Sequence, residues 1–368
     1  MSHEPPDRVS PDPSRRRLLR WLGAAAGGAL LSSRPLAGIG SERVCESLRG
    51  RRVSWLVGWS PGGGYDIYSR LLEAPLERAL DAEIVIENMP GASGIVAARR
   101  ISTSRPDGRT LGILNGTGLM LAPYSNPGFA PSLEHDFTLL GRIVDHEQAL
   151  VVGRASGITS LSDLVEIGRR RPIVLGVTGP TTVNVLLSAA LEDLFGIEVA
   201  LVLGFPGSQE LLTAVLRGDL DGAVIGDESA EPLDELLPLL RFSHPPLGGP
   251  AAERGRTLLG EEGVLATDPQ LFPDPERAQR DAADLATLMD VGRLVAAPPG
   301  LPAELGACMA ASVASALADP ALLTRAAQAG RTLRPGSAAE TARTVSVARL
   351  ALPRFAAAVE RAVRRATG

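Results

Sequence analysis

With 368 residues, 45% of them hydrophobic and 21% charged, the chain has apolar material for two domains of ordinary size and is too apolar to be disordered. The net charge is −5 and every basic side chain is an arginine, scattered along the chain, so no basic field invites nucleic acid.

The N-terminus reads as a separate segment. Ser14-Arg15-Arg16-Arg17-Leu18-Leu19-Arg20 precedes an alanine- and glycine-rich apolar run from Trp21 to Leu31. That pattern predicts an export signal of twin-arginine character over residues 1–40, cleaved between Ala37 and Glu42, and a periplasmic destination. The run is short for a membrane span, with an uncleaved anchor as the alternative. No later segment is long and apolar enough to span. Export permits a disulfide, but Cys45 and Cys308 are separated by most of the chain and are expected to be independent thiols.

Val53-Ser54-Trp55-Leu56-Val57 reads as a buried strand, and Ile67, Leu71, Leu72, Leu76, Ala79 and Leu80 fall on one helical face. Between them lies Trp59-Ser60-Pro61-Gly62-Gly63-Gly64-Tyr65-Asp66. Glycines let the backbone approach a ligand, and a helix start offers N–H groups without intrahelical acceptors and a partial positive charge. Gly62, Gly63, Gly64 and Tyr65 are therefore candidate anion donors; the plainer alternative is a tight turn. Asp66 is read as a helix cap that also fixes the loop. The spacing matches neither G-x-x-x-x-G-K-[ST] nor G-x-G-x-x-G, which disfavours a nucleotide.

The same strand, loop and helix unit recurs. Glu83–Glu87 is followed by Asn88-Met89-Pro90-Gly91-Ala92-Ser93-Gly94 and a helix, and Thr110–Leu114 ends in Asn115-Gly116-Thr117-Gly118. Alternating strands and helices predict parallel sheets, with ligands at the carboxyl ends of the strands. From Leu150 the architecture repeats. Ile173–Val177 runs into Thr178-Gly179-Pro180-Thr181-Thr182-Val183-Asn184, where hydroxyls and N–H groups make a second anion corner or simply a helix cap. Val199–Leu203 leads to Gly204-Phe205-Pro206-Gly207-Ser208, with Phe205 as either cleft wall or core. Asp227 and Glu228 end a later strand, where a carboxylate could meet an ammonium group or face solvent. Residues 238–275 are expected to be irregular. Two amphipathic helices, 303–317 and 338–366, are expected on the outside of the first domain, with Arg361, Arg364 and Arg365 as a solvated face.

Catalytic constellations are scarce. His3, His135, His146 and His244 lack metal-ligand spacing, and C-x-x-C, H-E-x-x-H and G-x-S-x-G are missing. No catalytic residue, metal or cofactor is expected.

Pro61-Gly62-Gly63-Gly64 with Asp66 and Arg70, Glu87-Asn88-Met89-Pro90-Gly91-Ala92 with Gly94, and Pro106-Asp107-Gly108 with Thr110 and Leu111 together resemble the solute-binding proteins of tripartite tricarboxylate transporters, the TctC or Bug family. The resemblance covers most of the chain after about residue 50. It implies an α/β, type II periplasmic binding protein fold: one domain of residues 44–145 plus 266–368, a second of 146–265, and a ligand cleft between them. It further implies a small carboxylate ligand (a tricarboxylate, dicarboxylate, aromatic acid or acidic amino acid), a monomer, and partnership with large and small membrane subunits. One carboxylate would meet Gly62–Tyr65 and Thr117; the far end would meet Thr178, Thr181, Thr182 and Asn184. Tyr65 stands where a smaller residue is frequent, Pro206 where lysine is common, and no histidine accompanies Asn184. A sensor-kinase partner and an enzyme on a similar fold are the competing readings.

Overall fold

The computed structural model describes residues 45–125, 131–226, 235–242 and 256–367. The predicted export signal, Asp227 and His244 lie outside the described residues. Strands β1 (Arg52–Val57), β2 (Glu83–Asn88), β3 (Thr110–Asn115) and β4 (Thr138–Val144) are followed by β5 (Gln148–Gly153), β6 (Ile173–Val177), β7 (Val199–Leu203), β8 (Gly222–Gly226), β9 (Leu236–Arg241) and β10 (Arg256–Thr257). The chain then returns with β11 (Arg293–Ala297) and β12 (Gly336–Ser337). These strands form two six-stranded sheets, ordered β12-β4-β11-β3-β1-β2 and β10-β9-β5-β8-β6-β7.

The two sheets repeat one plan. In the first, β1 pairs in parallel with β2 and β3, and β11 lies antiparallel between β3 and β4. In the second, β6 pairs in parallel with β7 and β8, and β5 lies antiparallel between β8 and β9. The carboxyl ends of the parallel strands form a rim on each sheet.

Helices α1 (Gly64–Leu80), α2 (Ile95–Ser102) and α3 (Gly116–Ser125) follow the first three strands, and α4 (Leu161–Gly168), α5 (Val183–Phe195) and α6 (Ser208–Arg217) serve the second sheet. Helix α1 places Leu72, Leu76 and Leu80, four residues apart, against Val53, Trp55 and Val57, while Leu56 packs into the cluster on the opposite face. Burial on both faces explains why β1 is a continuous apolar run rather than an alternating one. The Trp55 indole donates to Ser69 Oγ at 2.9 Å, satisfying the indole N–H that this packing buries.

Several expectations need correction. Cys45 and Cys308 form a disulfide, with Cα atoms 5.9 Å apart, tying the start of the described chain to α9 (Ala303–Leu317). Sequence distance said nothing about this because α9 packs directly on α1. The stretch expected to be irregular holds β9, β10, the short α7 (Val264–Thr267) and the start of α8 (Pro275–Met289). Pro238 is accommodated inside β9 beside a register shift against β5, where a missing N–H is least costly.

After α10 (Pro320–Gln328), the second predicted helix is two, α11 (Ala338–Ala351) and α12 (Pro353–Thr367). Pro353 starts the new helix because it cannot continue the old one. Helix α12 does not pack outside the first sheet. Phe355, Val359, Ala362 and Val363 bury against α5 and β7 of the second sheet. The basic run there is not merely solvated: Arg365 reaches Glu192 at 2.6 Å and Arg361 reaches Asp193 at 3.4 Å. Among the described residues no single helix is long and apolar enough to cross a membrane.

Candidate functional site

The loops after β1, β2, β3 and β6 meet where the rims of the two sheets face each other. A Cβ added at Gly118 would lie 2.7 Å from the Thr181 carbonyl oxygen, and one at Gly179 would run into Ser93 Oγ. The second rim thus touches the first at two points. Ala92 and Ser93 adopt φ of 47° and 55°, between Gly91 and Gly94, which also have positive φ. Non-glycine residues rarely hold this conformation, so the turn that meets Gly179 is maintained at an energetic cost.

The glycine loop is braced by Asp66, which is 2% exposed. Its carboxylate accepts from Gly62 N–H at 2.8 Å, from Arg70 Nε and Nη2 at 2.9 and 3.0 Å, and from Asn88 Nδ2 at 2.9 Å. Burial pushes the carboxyl toward neutrality, but the bonds from Arg70, Gly62 and Asn88 together outweigh it and hold the group below the usual carboxylate range. Asn88 Nδ2 also reaches the Trp59 carbonyl at 2.9 Å. Asp66 therefore fixes the turn from inside, and the N–H of Gly62 is already spent on it. The remaining first-turn N–H groups of α1, including that of Gly64, have no acceptor earlier in the helix.

Other residues chosen for their donors also turn inward. Thr117, fully buried, donates to the Leu288 carbonyl at 2.7 Å and pins the end of β3 to α8. Thr182 donates to the Gly179 carbonyl at 2.9 Å, and Asn184 Nδ2 donates to the Val224 carbonyl. Thr181 is buried at the contact with Gly118, and Thr178 is half-buried at the end of β6. Phe205 packs with the cluster containing Leu211 and Leu220, its ring edge 3.3 Å from where a Gly176 Cβ would stand, so it belongs to that core.

Behind the glycine loop lies a polar cluster absent from the sequence reading. Tyr65 stacks on Trp59, with ring centroids 3.6 Å apart and planes 10° from parallel. The Arg293 guanidinium lies 5.1 Å from the Tyr65 ring centroid and 4.9 Å from that of Tyr68, while Arg293 itself is 6% exposed. Arg293 opens β11, opposite Asn115 at the end of β3. Asn115 Oδ1 accepts from Gly118 N–H at 3.0 Å and lies 3.2 Å from His146 Nε2. Burial first, then the positive charge of Arg293, pushes the His146 imidazole down to about 3, so it is neutral at physiological pH. The available signals were the charge heading the apolar run Leu294–Ala297 and four consecutive polar residues, Asp145–Gln148, between two apolar runs.

Residues 68–234, spanning β2 to β8, match the family model described as the tripartite tricarboxylate transporter family receptor. Over that stretch the chain is similar to this family. A UPF0065 protein of Bordetella bronchiseptica is 24% identical over 294 residues, covering 79% of this chain and 81% of that protein. Other relatives are matched over 49% to 61% of their own length. Among solved structures, Rpa4515 of R. palustris with adipate aligns over 84% of this chain and 97% of that one, with a TM-score of 0.67 and 22% identity. MatC (Rpa3494) of Rhodopseudomonas palustris with bound malate aligns over 84% and 99%, with a TM-score of 0.62 and 21% identity. The fold is that of the two-domain periplasmic binding proteins, and the family is one of solute-binding receptors.

Proposed function

We propose that this protein is an extracytoplasmic receptor that captures a small carboxylate between two lobes and delivers it to the large and small membrane subunits of a tripartite tricarboxylate-type transporter. The lobes correspond to residues 44–145 with 266–368 and to 146–265, with α12 reaching across from the first to the second. The observation that carries the reading is the convergence of the β1–α1, β3–α3 and β6–α5 corners at the facing rims, seen in the Gly118–Thr181 approach and in Arg293 lying against Tyr65. Each corner brings helix-start N–H groups, and Arg293 adds a buried positive charge, so the rim favours an anion.

Because the side chains of Asp66, Thr117, Thr182 and Asn184 are occupied in holding the corners, the backbone supplies the recognition, directly or through ordered water. Such contacts suit a receptor that distinguishes acids by size and shape. Adipate and malate, the ligands named for two solved relatives, are both small carboxylates. Closure of one rim on the other around the acid is a hinge motion at the crossovers between sheets, and the closed form is what a membrane partner reads.

A thermal-shift screen against a carboxylate panel tests the reading. A ligand at about a hundred times its Kd should add roughly 2.7 kcal/mol of stability. A response to sugars or cations, with none to any carboxylate, rejects it.

A further inference from the structure

The crossover from β4 to β5 presents Asp145, His146, Glu147 and Gln148 in succession. Extended backbone sends alternate side chains to opposite sides. Asp145 and Glu147 obey this, both reaching Arg334, at 2.7 and 2.5 Å. His146 faces the other way, toward Asn115, and the same alternation puts Gln148 on the side of His146. Both are buried, at 2% and 4% exposure.

Hydrogen-bond chemistry fixes what His146 offers there. The Gly118 N–H bond identifies the Asn115 atom as the amide oxygen, and an amide oxygen only accepts. His146 Nε2, at 3.2 Å from the same oxygen, must then carry the imidazole proton, which leaves Nδ1 as a lone pair. Among the described residues neither His146 Nδ1 nor Gln148 Oε1 has a hydrogen-bond partner. Two buried acceptors on one side of the crossover are thus in want of donors, a costly arrangement unless something supplies them.

We propose that His146 Nδ1, together with Gln148 Oε1, accepts the hydrogen of a hydroxyl next to the carboxylate of the captured ligand, so that the receptor takes 2-hydroxy acids in preference to their unsubstituted counterparts. This assignment rests on the carboxylate-capture reading above. A hydroxyl and an ammonium group could both donate, and Arg293 distinguishes them. Its positive charge is felt at His146, where it disfavours a second cation, while it attracts the carboxylate carried on the neighbouring carbon. A neutral hydroxyl donates with no such repulsion.

Calorimetric titration of the protein with matched acids is the test: succinate, 2-hydroxysuccinate and 2-aminosuccinate, with glutarate and phenylacetate in the same three forms. In each set that binds, the hydroxy acid should bind about tenfold or more tighter than the plain acid, and tighter than the amino acid. His146→Gln keeps an amide N–H for the bond to Asn115 but carries its one acceptor, the amide oxygen, on the same carbon as that nitrogen and not at the Nδ1 position, and the ratio of hydroxy to plain acid should collapse toward one. His146→Asn, which can place an amide oxygen near the former Nδ1, should retain part of the preference. If His146→Gln does not fold, Gln148→Met and the wild-type ratios carry the same comparison. Plain acids binding as well as hydroxy acids, or a preference that survives His146→Gln, overturns this assignment alone. If no carboxylate binds in any form, the capture reading falls with it.

Discussion

The glycine corner of the first rim and the threonine corner of the second occupy equivalent places in two sheets of the same plan, yet they are held by different chemistry. Pro61–Tyr65 is gripped by an ionised carboxylate with an arginine, an asparagine and a backbone N–H on it. Thr178–Asn184 is held by neutral bonds, Thr182 to Gly179 and Asn184 to Val224. Charge-assisted bonds are roughly twice as strong as neutral ones, so the first corner is the stiffer of the two. Under the proposed capture of a carboxylate, the contrast would divide the labour between a fixed wall that defines the anion position and a softer wall that adjusts as the rims close.

The largest test of that asymmetry is the disulfide, which lies wholly on the first sheet's side, between Cys45 and α9. Reduction, or Cys308→Ser, should cost about 2–5 kcal/mol in chemical denaturation. Hydrogen exchange should locate the loosening in β1 and α1 rather than in β6 and α5; uniform loosening would argue against separate reinforcement of the first wall. Asp66→Ala comes next. It removes a buried acceptor of four hydrogen bonds while leaving Arg70 half-exposed and able to find water, so about 2–3 kcal/mol of stability should be lost, along with roughly tenfold in affinity for any confirmed ligand. Unchanged affinity in a folded Asp66→Ala protein would show that the loop does not need its brace.

Why the loops were legible in the sequence, and their side chains only partly so, follows from this bracing. Glycine runs, strand periodicity and helix-start residues are local signals, and they placed the corners at Gly62–Asp66, Asn115–Gly118 and Thr178–Asn184. Whether a threonine hydroxyl faces a ligand or a carbonyl depends on what packs beside it. Thr117 donates to Leu288, 171 positions away, and no local pattern reports that. The same holds for Arg293, which arrives on a strand returning from the far end of the chain, and for Cys308, delivered to Cys45 by α9. Helix α12 was readable as amphipathic, but its partner sheet was not, because an apolar stripe does not name the surface it covers.

Acid titration examines the crossover from β4 to β5, on which His146 sits. His146 is held near 3 when folded, against an ordinary 6.5, so between those values the unfolded chain binds more protons than the folded one. Stability should therefore decline as pH falls below about 6.5, by at most about 1.4 kcal/mol per pH unit, and His146→Gln should remove that slope. Asp66 acts in the same direction but lower down. Its carboxyl is depressed below its ordinary 3.8, so its contribution is complete above that value and is lost as pH drops through the folded one. A wild-type melting temperature that stays level from pH 6.5 to 4 would mean that His146 is not held neutral by the fold.

The mildest of these changes falls on the softer wall. Thr182→Val keeps the shape of the side chain and deletes its bond to the Gly179 carbonyl, a neutral interaction worth about 1 kcal/mol. Gly179 touches Ser93 across the rims, so freeing its carbonyl should speed ligand release more than it lowers stability. Stopped-flow dissociation set beside urea denaturation separates the two. A loss of stability matching that of Asp66→Ala, without faster release, would place the stiff wall on the second sheet and reverse the assignment of the two corners.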